Sequence, residues 1–182
     1  MIALKHKLIQ YLATKKNNSN SAFTLVELIV VVVIIGILSS IAIPSFQNAS
    51  DKAKQKDPAT LLASYVKAAQ AYFTEYSMNA QYSSHLGQYI SVTGCRSTTP
   101  SSCKTQAAYD HTNRTSRYWN SPSGYYQIYM TNSGTRTYFR ALPAGQYANS
   151  GYGVAACYNS STGSSKVVES TSKGRSVATI SC

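Results

Sequence analysis

Residues 23–43 read FTLVELIVVVVIIGILSSIAI, and how this run is taken decides the fold. As a helix rising about 1.5 Å per residue it is roughly 30 Å long, the thickness of a bilayer's hydrocarbon core. One charge, Glu27, stands near its start. A central intramembrane carboxylate costs roughly 2.5–3.5 kcal/mol, less near an interface, so an acid in such a run asks for a cationic partner. A secretory signal with Ser40-Ile41-Ala42 as its small-x-small cleavage site is the plain alternative. The run outlasts the ~7–15 apolar residues of such signals, and Glu27 interrupts it. An uncleaved anchor is the other plain reading, and Glu27 counts against it as well. Lys5, Lys7, Lys15 and Lys16 precede the run, which keeps the N-terminus cytoplasmic and sends the remainder across the membrane.

The chain has 182 residues, enough for one moderate domain beside a membrane element. Lys and Arg number 17 against 6 acids, a net charge of +11. With the four leading lysines set aside, 13 bases face the same 6 acids, leaving +7 from Phe23 onward. That balance attracts polyanions such as nucleic acid, sulfated polysaccharide or anionic lipid. The four cysteines, Cys95, Cys103, Cys157 and Cys182, all follow the apolar run, in a region rich in Ser, Thr, Asn and Tyr. An even count there favours two disulfides in an oxidising compartment. A zinc site lacks any CxxC and has only His85 and His111 nearby. The sequential pairing, Cys95 with Cys103 and Cys157 with Cys182, is one of three; its second bridge closes most of the C-terminal tail and contributes roughly 3 kcal/mol on a chain-entropy argument.

Beyond Pro44, apolar residues recur at steps of three and four, from Phe46, Ala49 and Ala53 through Leu62, Tyr65, Val66, Ala69 and Tyr72 to Tyr76. This predicts an amphipathic helix, bent or restarted at Pro58. The segment 77–122 reads as a loop-like connection with one strand at 88–92. Residues 125–131 (YYQIYMT) and 136–142 (RTYFRAL) flank Asn132-Ser133-Gly134, a hairpin signal. Strands at 153–158, 166–170 and 177–182 complete an antiparallel sheet. One long helix on such a sheet is an α+β arrangement.

Ala22-Phe23-Thr24-Leu25-Val26-Glu27-Leu28, behind a basic polar leader, resembles the processing site of a type IV prepilin. The resemblance extends from Ala22 to about Tyr76; beyond that the layout alone matches. Ala22 stands where the family most often has Gly, and the leader is longer than many. The resemblance implies that residues 1–22 are a leader removed between Ala22 and Phe23 by a prepilin peptidase, with N-methylation of Phe23. It implies a membrane-spanning polymerisation helix over 23–43, its amphipathic continuation over 44–76, an αβ-loop region over 77–122, and a sheet with a disulfide-tethered C-terminal region over 123–182. Glu27 then neutralises the new α-ammonium of a neighbouring subunit and sets the helix register. Gly36 and Pro44 are the family's helix-weakening positions; the one lowers helix propensity by roughly 1 kcal/mol and the other removes a backbone donor. The implied function is a homopolymeric pilus subunit for twitching motility, adhesion and DNA uptake. It is inserted in the inner membrane as a single-pass prepilin and then assembled into an extracellular fibre by an assembly platform and ATPases. A pseudopilin of a type II secretion system shares the processing signal, and a membrane-anchored DNA- or glycan-binding protein is a reading from a different class.

For catalysis the region beyond the membrane offers Asp51, Asp57, Glu75, Asp110, Glu169, His85 and His111, with no motif joining them. The expectation is a non-enzyme without metal or cofactor. Arg114 and Arg117 beside Tyr118 and Trp119, and Arg136 and Arg140 on the hairpin, are candidate contacts for DNA or surface glycans.

Overall fold

The computed structural model describes residues 23–105, 107–177 and 179–182. Helix α1 runs from Leu25 to Tyr76. Residues on both sides of Pro44 and Pro58 are helical, because each proline deletes one N–H while the neighbouring turns keep their own bonds. The expected restart at Pro58 is therefore absent. The helix ends at Ser77, which takes the left-handed conformation (φ +53°) while its N–H bonds to the Phe73 carbonyl at 2.8 Å. The chain forms two compact units divided between Ser45 and Phe46.

In the second unit α1 is followed by short elements: α2 (Ser83–Leu86), β1 (Thr93–Gly94), α3 (Pro100–Thr105) and β2 (Tyr109–Asp110), with β1 and β2 paired antiparallel. The expected strand at 88–92 is turn and coil. The amides of Tyr89 and Ile90 continue the α2 turn onto the Leu86 carbonyl, and Val92 is buried. Five strands then form one antiparallel sheet in chain order: β3 (Tyr118–Asn120), β4 (Tyr126–Ser133), β5 (Arg136–Pro143), β6 (Tyr152–Asn159) and β7 (Ser165–Lys173). The β4–β5 turn closes on Ser133 opposite Arg136, with Gly134 at φ +57° in the first central position that a type II′ turn reserves for glycine.

Strand alternation explains the core. Tyr126, Ile128 and Met130 of β4 and Phe139 and Ala141 of β5 are buried at every second position. They form one cluster with Leu62, Tyr65, Val66, Ala69 and Tyr72 of α1, which lie three and four residues apart. Tyr65 sits edge-on to Trp119 with centroids 5.4 Å apart, and its hydroxyl accepts the indole N–H at 3.2 Å.

β6 is buried at every position, so both of its faces are covered. Val154 and Ala156 belong to the main core, whereas Ala155 and Cys157 on the opposite face pack with Ile180, Val177 and Cys182 of the tail. The tail is thus not the strand expected at 177–182. Cys157 points outward from the middle of the sheet, and a residue bonded to it lies on that face and cannot extend an edge. The Cys182 carbonyl accepts from Arg136 Nε at 3.2 Å and from Asn159 Nδ2 at 3.4 Å. At Gly153 a side chain would meet Val177 Cγ1 at 2.5 Å and the Ser176 carbonyl at 2.7 Å, so the passing tail requires glycine there.

The inward face of α1 begins with polar residues. Ala49 and Ala53, expected to face inward, are exposed, while Asp51 and Gln55 are buried. A register irregularity between Tyr152 and Val154 interrupts the β6–β7 ladder. Gln55 Nε2 donates to the Gly153 carbonyl at 2.8 Å and to the Ser170 carbonyl at 2.9 Å, and the Tyr147 hydroxyl donates to the Asp51 carbonyl at 2.7 Å. Exposed pairs such as Lys56–Glu169 at 2.8 Å add little beside these buried bonds.

Gln55→Ala leaves two buried carbonyls without their donor and is expected to cost about 2 kcal/mol in denaturant unfolding; an unchanged midpoint would show that the bulge carbonyls need no donor. The histidines predict an acid dependence. Burial lowers the His85 pKa, and burial with the nearby Arg114 charge lowers that of His111. Each binds its proton more weakly folded than unfolded, so their stabilisation is complete above pH 6.5 and declines as pH falls through the lowered values. Substituting both by Gln should flatten that part of the stability–pH curve, measured by thermal unfolding between pH 7 and 5.

Candidate assembly site on the N-terminal helix

From Leu25 to Ile43 the first unit is apolar around the whole helix, and Leu25, Val26, Leu28, the run Ile29 to Ile35, Ile37, Leu38, Ile41 and Ile43 are all exposed. α1 is long and apolar enough to cross a membrane, and none of the residues in its most apolar window is buried. A helix apolar on every side belongs in lipid or among other helices. Burying each Val, Leu or Ile gains about 1.5–3 kcal/mol, a strong drive out of water.

Glu27 is the single charge on this surface. Leu25 opens the helix, so Thr24 is its N-cap and Glu27 its third residue. Glu27 Oε2 accepts from the Thr24 amide at 2.9 Å and the Thr24 hydroxyl at 2.8 Å, and the Glu27 amide donates to Thr24 Oγ1 at 3.2 Å. This is a reciprocal capping box, and the carboxylate also sits at the positive end of the helix dipole. Thr-x-x-Glu at the head of an apolar run is the sequence signal for it. Both bonds use Oε2; among the described residues Oε1 has no hydrogen-bond partner. The carboxylate is held in place within its own chain through one of its oxygens.

Phe23 precedes the cap and is 82% exposed. Ala22 and the leader lie outside the described residues. The segment from Gly36 to Pro44 is helical, and a side chain at Gly36 would meet nothing within 4 Å. No crowding in the single chain therefore demands glycine there. Among its polar groups, Ser40 Oγ donates to the Ile37 carbonyl at 2.7 Å.

In the second unit Cys95 is bonded to Cys103 and Cys157 to Cys182, with Cα atoms 5.6 and 6.1 Å apart. The four candidate arginines occupy different settings. Arg114 lies over the Tyr109 ring at 4.5 Å and Arg117 over Tyr82 at 5.1 Å. Arg136 bonds the terminal carbonyl, and Arg140 stands opposite Tyr129 across the β4–β5 ladder. Arg96, absent from the candidates, joins Arg114 on Tyr109 at 4.7 Å. Nothing in the sequence signalled this, because the β1–β2 pairing brings residues 96 and 109 together. Asp110 and His111 do not form an acid–base pair aimed at one target. Thr112 donates to the Asp110 carboxylate at 2.7 Å and holds its pKa below the usual range, while the His111 ring is buried edge-on to Tyr109.

Comparison with known proteins bears on the same helix. The family described as "Prokaryotic N-terminal methylation motif" matches residues 17–43. The chain is 38% identical over 71 residues to the type IV major pilin protein PilA of Myxococcus xanthus (strain DK1622), covering 39% of this chain and 32% of that protein. It is 41% identical over 63 residues to the type IV major pilin protein PilE1 of Neisseria gonorrhoeae, covering 35% of this chain and 36% of the other. The same identity over 63 residues relates it to a fimbrial protein of Neisseria meningitidis serogroup B (strain ATCC BAA-335 / MC58), with 35% of each chain covered. The aligned part spans about a third of the length of these curated relatives. No solved structure matches. An exposed apolar helix headed by a methylation motif, continuing into a helix-on-sheet domain, makes this chain type IV pilin-like in both sequence and fold.

Proposed function

We propose that the chain is a structural subunit of a type IV pilus that polymerises through α1 and performs no catalysis of its own. The observation that carries this reading is the solitary Glu27 carboxylate, held through one oxygen by its cap, on an apolar segment, residues 25–43, with no other charge. Hydrolysis of the Ala22–Phe23 peptide bond by a prepilin peptidase consumes one water and leaves a carboxylate on Ala22 and an α-ammonium on Phe23. Methylation of that nitrogen keeps its charge. In an apolar bundle the ammonium of one subunit then meets Glu27 of the next, and any other axial offset leaves a buried charge unpaired at a cost of roughly 3–5 kcal/mol.

The precursor resides in the inner membrane with 23–43 as its span, and the fibre is extracellular; twitching motility, adhesion and DNA uptake are its proposed roles. Residues 44–76 continue the helix into the outer domain, 77–122 form the connecting region and 123–182 the sheet with its tethered tail. Local unwinding between Gly36 and Pro44 on assembly, an assembly platform and its ATPases complete the proposal.

Two substitutions separate the capping role of Glu27 from its charge. Glu27→Gln keeps an acceptor for the capping box and loses the negative charge, whereas Glu27→Ala loses both. Both variants are expected to insert normally and to yield at least about tenfold fewer sheared fibres, since either leaves the ammonium unpaired. Wild-type fibre yield from Glu27→Gln alone would reduce Glu27 to a helix cap and defeat the registry role.

A further inference from the structure

The surface around Tyr109 is a cationic–aromatic site formed by residues outside α1. The Arg96 and Arg114 guanidinium carbons lie 4.7 and 4.5 Å from the centroid of this one ring. Among the described residues neither guanidinium forms a salt bridge; Arg114 Nε donates to the Asp110 carbonyl at 3.2 Å, and the neighbouring Asp110 carboxylate feels the Arg114 charge. The ring borders a hollow of about 330 Å³ on the Arg96 side and another of about 520 Å³ on the Arg114 side, and Tyr109, His111 and Tyr118 line both. His111 is more than nine-tenths buried, and its Nδ1 has no hydrogen-bond partner among the described residues. Burial and the Arg114 charge lower its pKa, so at neutral pH the positive charge here belongs to the arginines.

The site continues onto the sheet. Tyr118 is 64% exposed and stacks on Tyr129 with centroids 6.3 Å apart. Tyr118 pairs with Tyr129, and Tyr129 with Arg140, so the three occupy one outward row across β3, β4 and β5, spaced by the ~4.8 Å strand separation. Paired guanidiniums, two aromatic faces and a third guanidinium therefore follow one another along one surface. Such a strip suits a linear chain of rings bearing oxyanions.

We propose that this strip binds an acidic polysaccharide through its uronate carboxylates. Arg96 and Arg114 pair with one carboxylate, the Tyr118 face takes the apolar side of a pyranose ring, and Arg140 meets a later carboxylate. One feature favours sugar over a nucleic-acid strand. Asn113, Thr115 and Ser116 line the Arg114 hollow with groups that bond hydroxyls.

The test uses the full chain in polyoxyethylene-detergent micelles, with fluorescent polygalacturonate, a neutral galactan and an oligodeoxythymidylate as probes, read by anisotropy. Polygalacturonate is expected to bind, and Arg96→Ala and Arg114→Ala each to weaken it by about tenfold, with Arg114→Lys milder because it keeps charge without the planar fork. No binding of polygalacturonate, equal binding by the arginine variants, or tighter binding of oligodeoxythymidylate by the same arginines would overturn the proposal. Fibre formation plays no part in this assay, so its failure leaves the pilus reading standing, and the reverse also holds.

Discussion

A helix that is aliphatic around its whole circumference has no stable place in water, and one carboxylate on it has no stable place in oil. The first unit holds both at once. Lipid or neighbouring helices take the aliphatic side chains. The capping box settles the carboxylate in part, because the Thr24 amide and hydroxyl bind one oxygen where the helix dipole is positive. On the proposed function a cation on another chain meets the same carboxylate, which would make an energetic cost inside one chain a source of specificity between chains.

The second unit supplies the water-facing domain, and its stability comes from different terms. The apolar seam of α1 buries against alternate residues of β4, β5 and β6, while the tail covers the opposite face of β6. Cys157–Cys182 closes that second cover and adds about 3 kcal/mol on the chain-entropy argument. Where the ladder between β6 and β7 is irregular, Gln55 reaches from the helix to satisfy the released carbonyls. This explains why a polar residue occupies a position that the apolar pattern alone gives to its neighbours.

The long helix, the hairpin and the α+β class were legible because each rests on a local pattern: apolar periodicity, alternation around a glycine turn, and the length of the aliphatic run. The failures share a cause as well. Residues 177–182 alternate like a strand, but the covalent bond to an outward cysteine decides where they lie. Ala49 and Ala53 fit the apolar period, yet a bulge on distant strands draws Asp51 and Gln55 inward. Arg96 joins Tyr109 and Arg114 through a two-residue strand pairing too short to announce itself. The Thr24–Glu27 box, by contrast, is a local Thr-x-x-Glu pattern that the sequence itself displays.

The central claim is that proteolysis creates the cation that Glu27 awaits. The most direct measurement is intact-mass and N-terminal analysis of the chain recovered from sheared surface filaments. The account predicts a polypeptide that begins at Phe23 and carries one added methyl group on its terminal nitrogen. A filament chain beginning at Met1, or cut behind the aliphatic run after Ala42, would contradict it.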